Sequence, residues 1–392
     1  AAAGPSAMDT GEAEHSPSTP GLIRQRSAVS ELQKLLGQIV RVSERQLRGP
    51  SQKTKVAVFG MLRKLCLVLN GGLGAHMDAL CANARLCLAD KNQGLKLEAL
   101  AFLRLVLETH PAQTMQPHVA ALLPLVVGCA AEDWYKIIAE ALRVLGELVK
   151  TLRPAAPPAP GAPAQAVVEL EEVAAYAPGL DVDDAVDRIY AAVFARLEAH
   201  DIDQEIKECA LLAVGLCLAR LGDRLGADRR AAVCRLLMDR LRNEITRAPT
   251  LKALEAAALS PLQLDLGSIL CEAVEELAYF LRQQSRTLKQ TTLETLNALI
   301  THNSGALTAS LFGLVLQELA ALLTDADLHL AHLGLRVAAA ILRVSPGASE
   351  AEATRLHVLP RVLRLAASPL LQGLALASLL RVLRELVGAD AP

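Results

Sequence analysis

From Leu22 onward, apolar residues recur every three or four positions, the period of an amphipathic helix rather than a strand. "ELQKLLGQIVRV" and "VAVFGMLRKLCLVL" are clear cases. A short element recurs inside this pattern: an apolar residue, usually Lys, two residues, then a small residue followed by an apolar one. It reads "TKVAVF" at Lys55, "LKLEAL" at Lys96, "YKIIAE" at Lys136 and "IKECAL" at Lys207. Looser copies are "LKALEA" at Lys252, "LKQTTL" at Lys289, "LAHLGL" at Ala331 and "LQGLAL" at Gln372. Successive copies lie about 40 residues apart, and two amphipathic helices per such period are the signature of a HEAT-type solenoid. The pattern predicts an all-α fold, a HEAT-repeat α-solenoid of about eight helix pairs. The recurring element opens each second helix. Ala99, Ala139 and Ala210 are expected where neighbouring helices approach closely.

One step breaks the period. Lys136 to Lys207 is longer by roughly 30 residues, and "RPAAPPAPGAPAQ" accounts for the excess, because its prolines exclude helix. The chain therefore divides into a polar, proline-containing tail over 1–21, expected to be disordered, repeats over 22–153, a Pro/Ala-rich insertion over 154–183, and repeats over 184–392 continuing the same solenoid. Ser16 and Thr19 in "HSPSTP" are candidate phosphate acceptors, but Ser-Pro by chance in a linker is the plainer reading.

Composition supports helix and narrows function. Of 392 residues, 52% are hydrophobic but only 3% aromatic, so Ala and Leu carry the burial. Forty basic residues against 42 acidic ones give a net charge of −2, without the basic stripe of a nucleic-acid binder. No apolar run reaches membrane-span length without a charge or proline. The eight cysteines include no C-x-x-C pair and fall in apolar helical pattern. With no signal peptide apparent, they are expected to be reduced thiols of an intracellular protein.

Candidate chemistry is sparse. "DIDQEIKECALL" opens with Asp201, Asp203 and Glu205 at alternate positions, as a calcium loop does. Such a loop requires Gly at its sixth position and Glu at its twelfth, where this chain has Ile206 and Leu212. The acids instead precede an apolar helical run, where they cap its N-terminus and complement its dipole. Asp133 and Asp327 are placed for the same role. His329 and His332, with Asp325 or Asp327 nearby, lack further ligands at recognisable spacing, so no metal is assigned. Glu171 and Glu172, and Asp183 and Asp184, read as solvated charge around the insertion. No phosphate-cradling or nucleophile-elbow motif occurs, and neither a catalytic residue nor a cofactor is expected. Trp134, the single Trp, is either a partner anchor or a plug between helices, the latter being weightier. Arg240, Arg242 and Arg247 around "RLRNEITR" are candidate partner contacts, set against the blander reading of a solvated helix end.

The words "LKLEAL", "PHVAALLPLVV", "YKIIAEAL", "LVKTLRP", "DIDQEIKE", "LGDRLGAD", "RLRNEITR", "SPLQLDL" and "SPLLQG" resemble, in the same order, stretches of the cullin-associated and neddylation-dissociated proteins. The resemblance runs from about Leu22 to the C-terminus, interrupted by an insertion longer and richer in Ala than that family implies. It implies a HEAT-repeat scaffold, similar to the middle of a longer solenoid, that holds the cullin and its RING subunit in ubiquitin ligases lacking the ubiquitin-like modifier. It implies promotion of substrate-receptor exchange, no enzymatic step, no nucleic acid, membrane or small-molecule substrate, and residence in cytoplasm and nucleus. Exchange is expected to depend on the family's terminal repeats, to which no stretch here corresponds. The alternative class is another helical-repeat scaffold or a transport-receptor-type module, sharing the period but not the words.

Overall fold

The computed structural model describes residues 20–154, 181–199 and 203–388. These form eight successive helix pairs, with no strand among the described residues. The pairs are α1 (Pro20–Leu47) with α2 (Gln52–Leu69), α3 (Met77–Leu88) with α4 (Gln93–Thr109), α5 (Ala112–Ala130) with α6 (Tyr135–Leu152), and α7 (Val182–Glu198) with α8 (Gln204–Leu221). They continue as α9 (Ala227–Arg242) with α10 (Glu244–Ala258), α11 (Gly267–Phe280) with α12 (Arg286–Asn303), α13 (Ala309–Leu319) with α14 (Leu328–Val344), and α15 (Ala348–Ala353) plus α16 (Leu359–Ala366) with α17 (Gly373–Gly388). A π-helical turn over Thr354–Val358 joins α15 to α16, just ahead of Pro360, which has no N–H for the ladder. The predicted α-solenoid and its eight pairs are thus observed. Residues 1–19 of the tail, including Ser16 and Thr19, and residues 155–180 of the insertion, including Glu171 and Glu172, lie outside the described residues.

Caps set the frame. Ser51, Asn92, Asp203, Asn243, Ser285 and Asp327 each stand at the N-cap of a second helix and accept a hydrogen bond from a backbone N–H of its first turn. Each satisfies a donor that the helix leaves unpaired, a contribution of about 1 kcal/mol. Asp203 and Asp327 act as the sequence predicts, while Asp201 lies outside the described residues. Asp133 does not. The N-cap of α6 is Trp134, and no side chain caps it; the Trp134 carbonyl instead receives Ile137 and Ile138 N–H at 3.0 and 3.1 Å.

The recurring Lys falls in the first turn of α2, α4, α6, α8 and α12, as expected, but at the ninth position of α10. Asn243 starts α10 early by accepting from Ile245 N, and the helix runs through Pro249 before reaching Lys252.

The second helices form a continuous layer, α2–α4–α6–α8–α10–α12–α14–α17, and touch one another more extensively than do the first helices on the other side. Small residues permit this. Ala99, Ala139, Ala210 and Ala338 are fully buried, and Ala253 nearly so. A Cβ added at Gly215 of α8 would stand 2.6 Å from the Ala253 Cα of α10. The closer spacing on this side makes the second helices the inner layer of the stack. Their apolar core runs unbroken from the first pair to the last, so each pair is stable through its neighbours rather than alone.

Candidate interaction surface

The inner layer carries a line of charge across its apolar contacts. Arg63 of α2 donates to Glu98 of α4 (3.0 Å), Arg104 of α4 to Glu140 of α6 (2.7 Å), and Arg143 of α6 to Glu205 of α8 (2.6 Å). Each Arg bridges to the next pair. Glu140 is almost fully buried, and receives Arg143 as well as Arg104, so its charge is paired on both oxygens. The ladder was not singled out from sequence, although its signal is there: Arg63 and Arg104 each stand eight residues after the recurring Lys, and Arg143 seven. A groove of about 610 Å³ lies alongside it between α2 and α4, lined by Val56, Ala57, Leu67 and Leu105 with Arg63 and Arg104.

Trp134, at the N-cap of α6, is half-buried and packed against the core. Its neighbour Tyr135 is 37% exposed. Lys136 Nζ stands 5.9 Å from the Trp134 ring and 5.8 Å from the Tyr135 ring, within cation–π range of both. One aromatic thus anchors an amphipathic patch that a second presents to solvent.

The three candidate arginines are brought together, but each already has a partner in the chain. Arg240 donates to the Leu197 carbonyl of α7 (2.8 Å). Arg242 pairs with Glu272 and with Glu276 (3.4 Å) on α11. Arg247 donates to the Leu241 and Arg242 carbonyls (3.3 and 3.4 Å), at the C-terminus of α9, and its guanidinium lies 4.3 Å from the centre of the Phe280 ring. Together they staple α9 to its flanking first helices. Ile245, 58% exposed, sits among them.

The groups considered for a metal are engaged separately. His332 Nδ1 is 2.7 Å from Ser378 Oγ, Asp325 accepts from Ser368 Oγ (2.8 Å), and Asp327 receives Arg286 (2.5 Å). Among the described residues no three metal-ligating side chains converge. Seven of the eight cysteines are buried and none is bridged. Burial pushes the Cys66, Cys81 and Cys217 thiols up to about 12, the direction opposite to an activated thiolate. No helix among the described residues is long and apolar enough to cross a membrane.

Residues 71–214 match a family model described as CAND1-like, TPR repeats. The observed spacing near 40 residues is longer than the 34 typical of tetratricopeptide units. The chain is 37% identical over 362 residues to cullin-associated NEDD8-dissociated protein 1 of Arabidopsis thaliana, covering 91% of this chain and 28% of that protein. It is 39% identical over 356 residues to cullin-associated NEDD8-dissociated protein 2 of Mus musculus, covering 90% and 27%. The chain therefore spans little more than a quarter of the length of these curated relatives. Among solved structures, an engineered protein superposes with a TM-score of 0.60 at 16% identity, covering 89% of this chain and 78% of that one. Yeast importin-β does so at 0.56 and 13%, covering 92% and 42%. At such identities the likeness shows the fold alone.

Proposed function

The chain is a relative of the cullin-associated NEDD8-dissociated proteins over nine-tenths of its own length, and on that premise we propose that it is a non-enzymatic scaffold for cullin–RING ubiquitin ligase cores. In this reading it holds the cullin and its RING subunit when the cullin carries no NEDD8, and takes part in substrate-receptor exchange, in cytoplasm and nucleus. The observation that carries the proposal is the collinear identity with these relatives across both blocks of repeats.

The structure suits such a role physically. A stacked layer of second helices offers a long surface of many weak contacts rather than one pocket, and affinity then rests on a few anchors. The half-buried Trp134 with exposed Tyr135 and Lys136 is the strongest anchor among the residues singled out, because Tyr135 presents an aromatic surface to solvent beside a ring fixed on the core. Arg240, Arg242 and Arg247 would contact a partner through their exposed edges while still bracing α9. Exchange needs no bond made or broken. It needs the scaffold and the receptor module to weaken each other's hold on the cullin, a reciprocal coupling.

The test is capture of purified cullin–RING core by this chain, with and without NEDD8 attached. Capture of the unmodified core in preference to the modified one is expected, as is its weakening in Trp134→Ala/Tyr135→Ala. Equal capture of both forms, or of neither, overturns the reading for this chain.

A further inference from the structure

The last three second helices enclose a cleft that the scaffold role leaves unexplained. It is lined by Asn297, Thr301 and His302 of α12, Arg336, Ala339, Ala340 and Arg343 of α14, and Arg381 of α17. Ala339 and Ala340 line it, both 3% exposed, and its open space is small, about 30 Å³. Three guanidiniums line this one cleft, and among the described residues no carboxylate does. Elsewhere on the inner layer arginines meet glutamates: Arg63 with Glu98, Arg104 with Glu140, Arg143 with Glu205. Arg336, Arg343 and Arg381 have no such partner among the described residues. Thr301 adds a second, independent sign. Its Oγ1 is buried and has no hydrogen-bond partner, which ordinarily costs free energy unless something fills the space.

Converging positive charge with an unsatisfied hydroxyl is a receptor for oxygen anions. Guanidinium forks match carboxylate oxygens in pairs. We propose that this cleft binds a carboxylate-rich polypeptide segment of a partner, two or more Asp or Glu side chains being received by Arg336, Arg343 and Arg381. A nucleic acid is the poorer fit. Among the described residues no Phe, Tyr or Trp ring lines the cleft, and the imidazole of His302 is the single aromatic surface there on which a base could stack. The proposal stands independently of the cullin reading, since it needs only an acidic segment.

The experiment is fluorescence anisotropy of a labelled hexaglutamate peptide titrated with the chain at low and high salt. Saturable binding that weakens with salt is expected, and Arg343→Ala/Arg381→Ala should weaken it about tenfold or more. Arg343 is exposed and Arg381 half-buried, so the variant should fold, and an unchanged melting curve checks that it does. Arg384→Ala, an exposed arginine of α17 outside the cleft, should leave the affinity as it was. No binding by the parent overturns the proposal, as does equal weakening by Arg384→Ala, which would show only general charge attraction. Stronger binding of a duplex DNA of matched charge, weakened by the same double substitution, overturns the choice of an acidic peptide.

Discussion

Between the fourth and fifth helix pairs, α8 lies against α10 while, on the opposite side of the same joint, α7 faces α9, and the two seams are built differently. The inner seam is apolar and tight. Ala210, Leu211, Leu251 and Leu254 are buried to within 1% of full, and Gly215 admits Ala253 so closely that a methyl group would collide. The outer seam has few close backbone approaches and is held by polar bridges. Arg229 pairs with Asp187 and stacks 5.0 Å from the Tyr190 ring, Arg224 reaches Asp183 (3.3 Å), and Arg240 reaches the Leu197 carbonyl (2.8 Å). Shape complementarity fixes the inner spacing, because buried atoms have nowhere to go. Exposed ion pairs tolerate changes of an ångström at little cost. The solenoid can therefore flex at its outer side, where opening breaks mainly exposed polar bridges, whereas sliding at the inner side breaks the core.

A charge placed in the inner seam should have the largest effect. Ala210→Glu would bury a carboxylate with no partner, at a cost of about 3–5 kcal/mol, enough to uncouple the pairs on either side. Because a repeat array is stabilised through neighbours, the expected result is a melting curve by circular dichroism that splits or broadens rather than simply shifting. A curve superimposable on the parent would mean that the inner seam does not hold the stack.

The outer seam should respond far less. A double-mutant cycle with Arg229→Ala and Asp187→Ala is expected to give a coupling of under about 1 kcal/mol in urea melts, since both side chains are substantially exposed. It should fall toward zero in 1 M salt, where charges are screened within about 3 Å. A coupling that persists in high salt would make the outer seam rigid and remove the proposed flexure.

The sequence made the inner seam legible and the outer one nearly invisible, for a physical reason. Stacking repeats every 40 residues or so puts the same small residue at the same place, so Ala99, Ala139 and Ala210 announce the contact before any coordinates exist. Asp203 and Asp327 were legible as caps because a cap acts within three residues. Asp133 had the same local setting, yet the backbone at Trp134 adopts the cap geometry one residue later, and an aromatic packed on the core decides that position. Polar bridges carry no such local mark. Arg242 meets Glu272 thirty residues on, and Arg229 meets Asp187 forty-two residues back. Arg240, Arg242 and Arg247 therefore stood out as charge beside a helix, while their partners on α7 and α11 did not. The inner Arg–Glu ladder shows a middle case, recoverable only by laying the repeats over one another and reading down a column.

The smallest effect concerns a polar exception inside the inner layer. Glu255 of α10 is half-buried and lies near Glu294 of α12, and these two influences hold its carboxyl above the ordinary range, with Lys252 drawing it partly back. A carboxyl raised on folding binds its proton more tightly in the folded chain than in the unfolded one. Its contribution is therefore most favourable below the unfolded value, about 4.3, and is lost as pH rises through the higher folded value. Glu255→Gln keeps the shape and removes the titration. It should raise the melting temperature by about 1–3 °C at pH 7 and change it little near pH 3, where the carboxyl is protonated in both the folded and the unfolded chain. A variant less stable than the parent at pH 7 would mean that Lys252 pairs with Glu255 strongly enough to reverse the sign. The α10–α12 step would then belong with the charge-bridged part of the inner layer rather than standing apart from it.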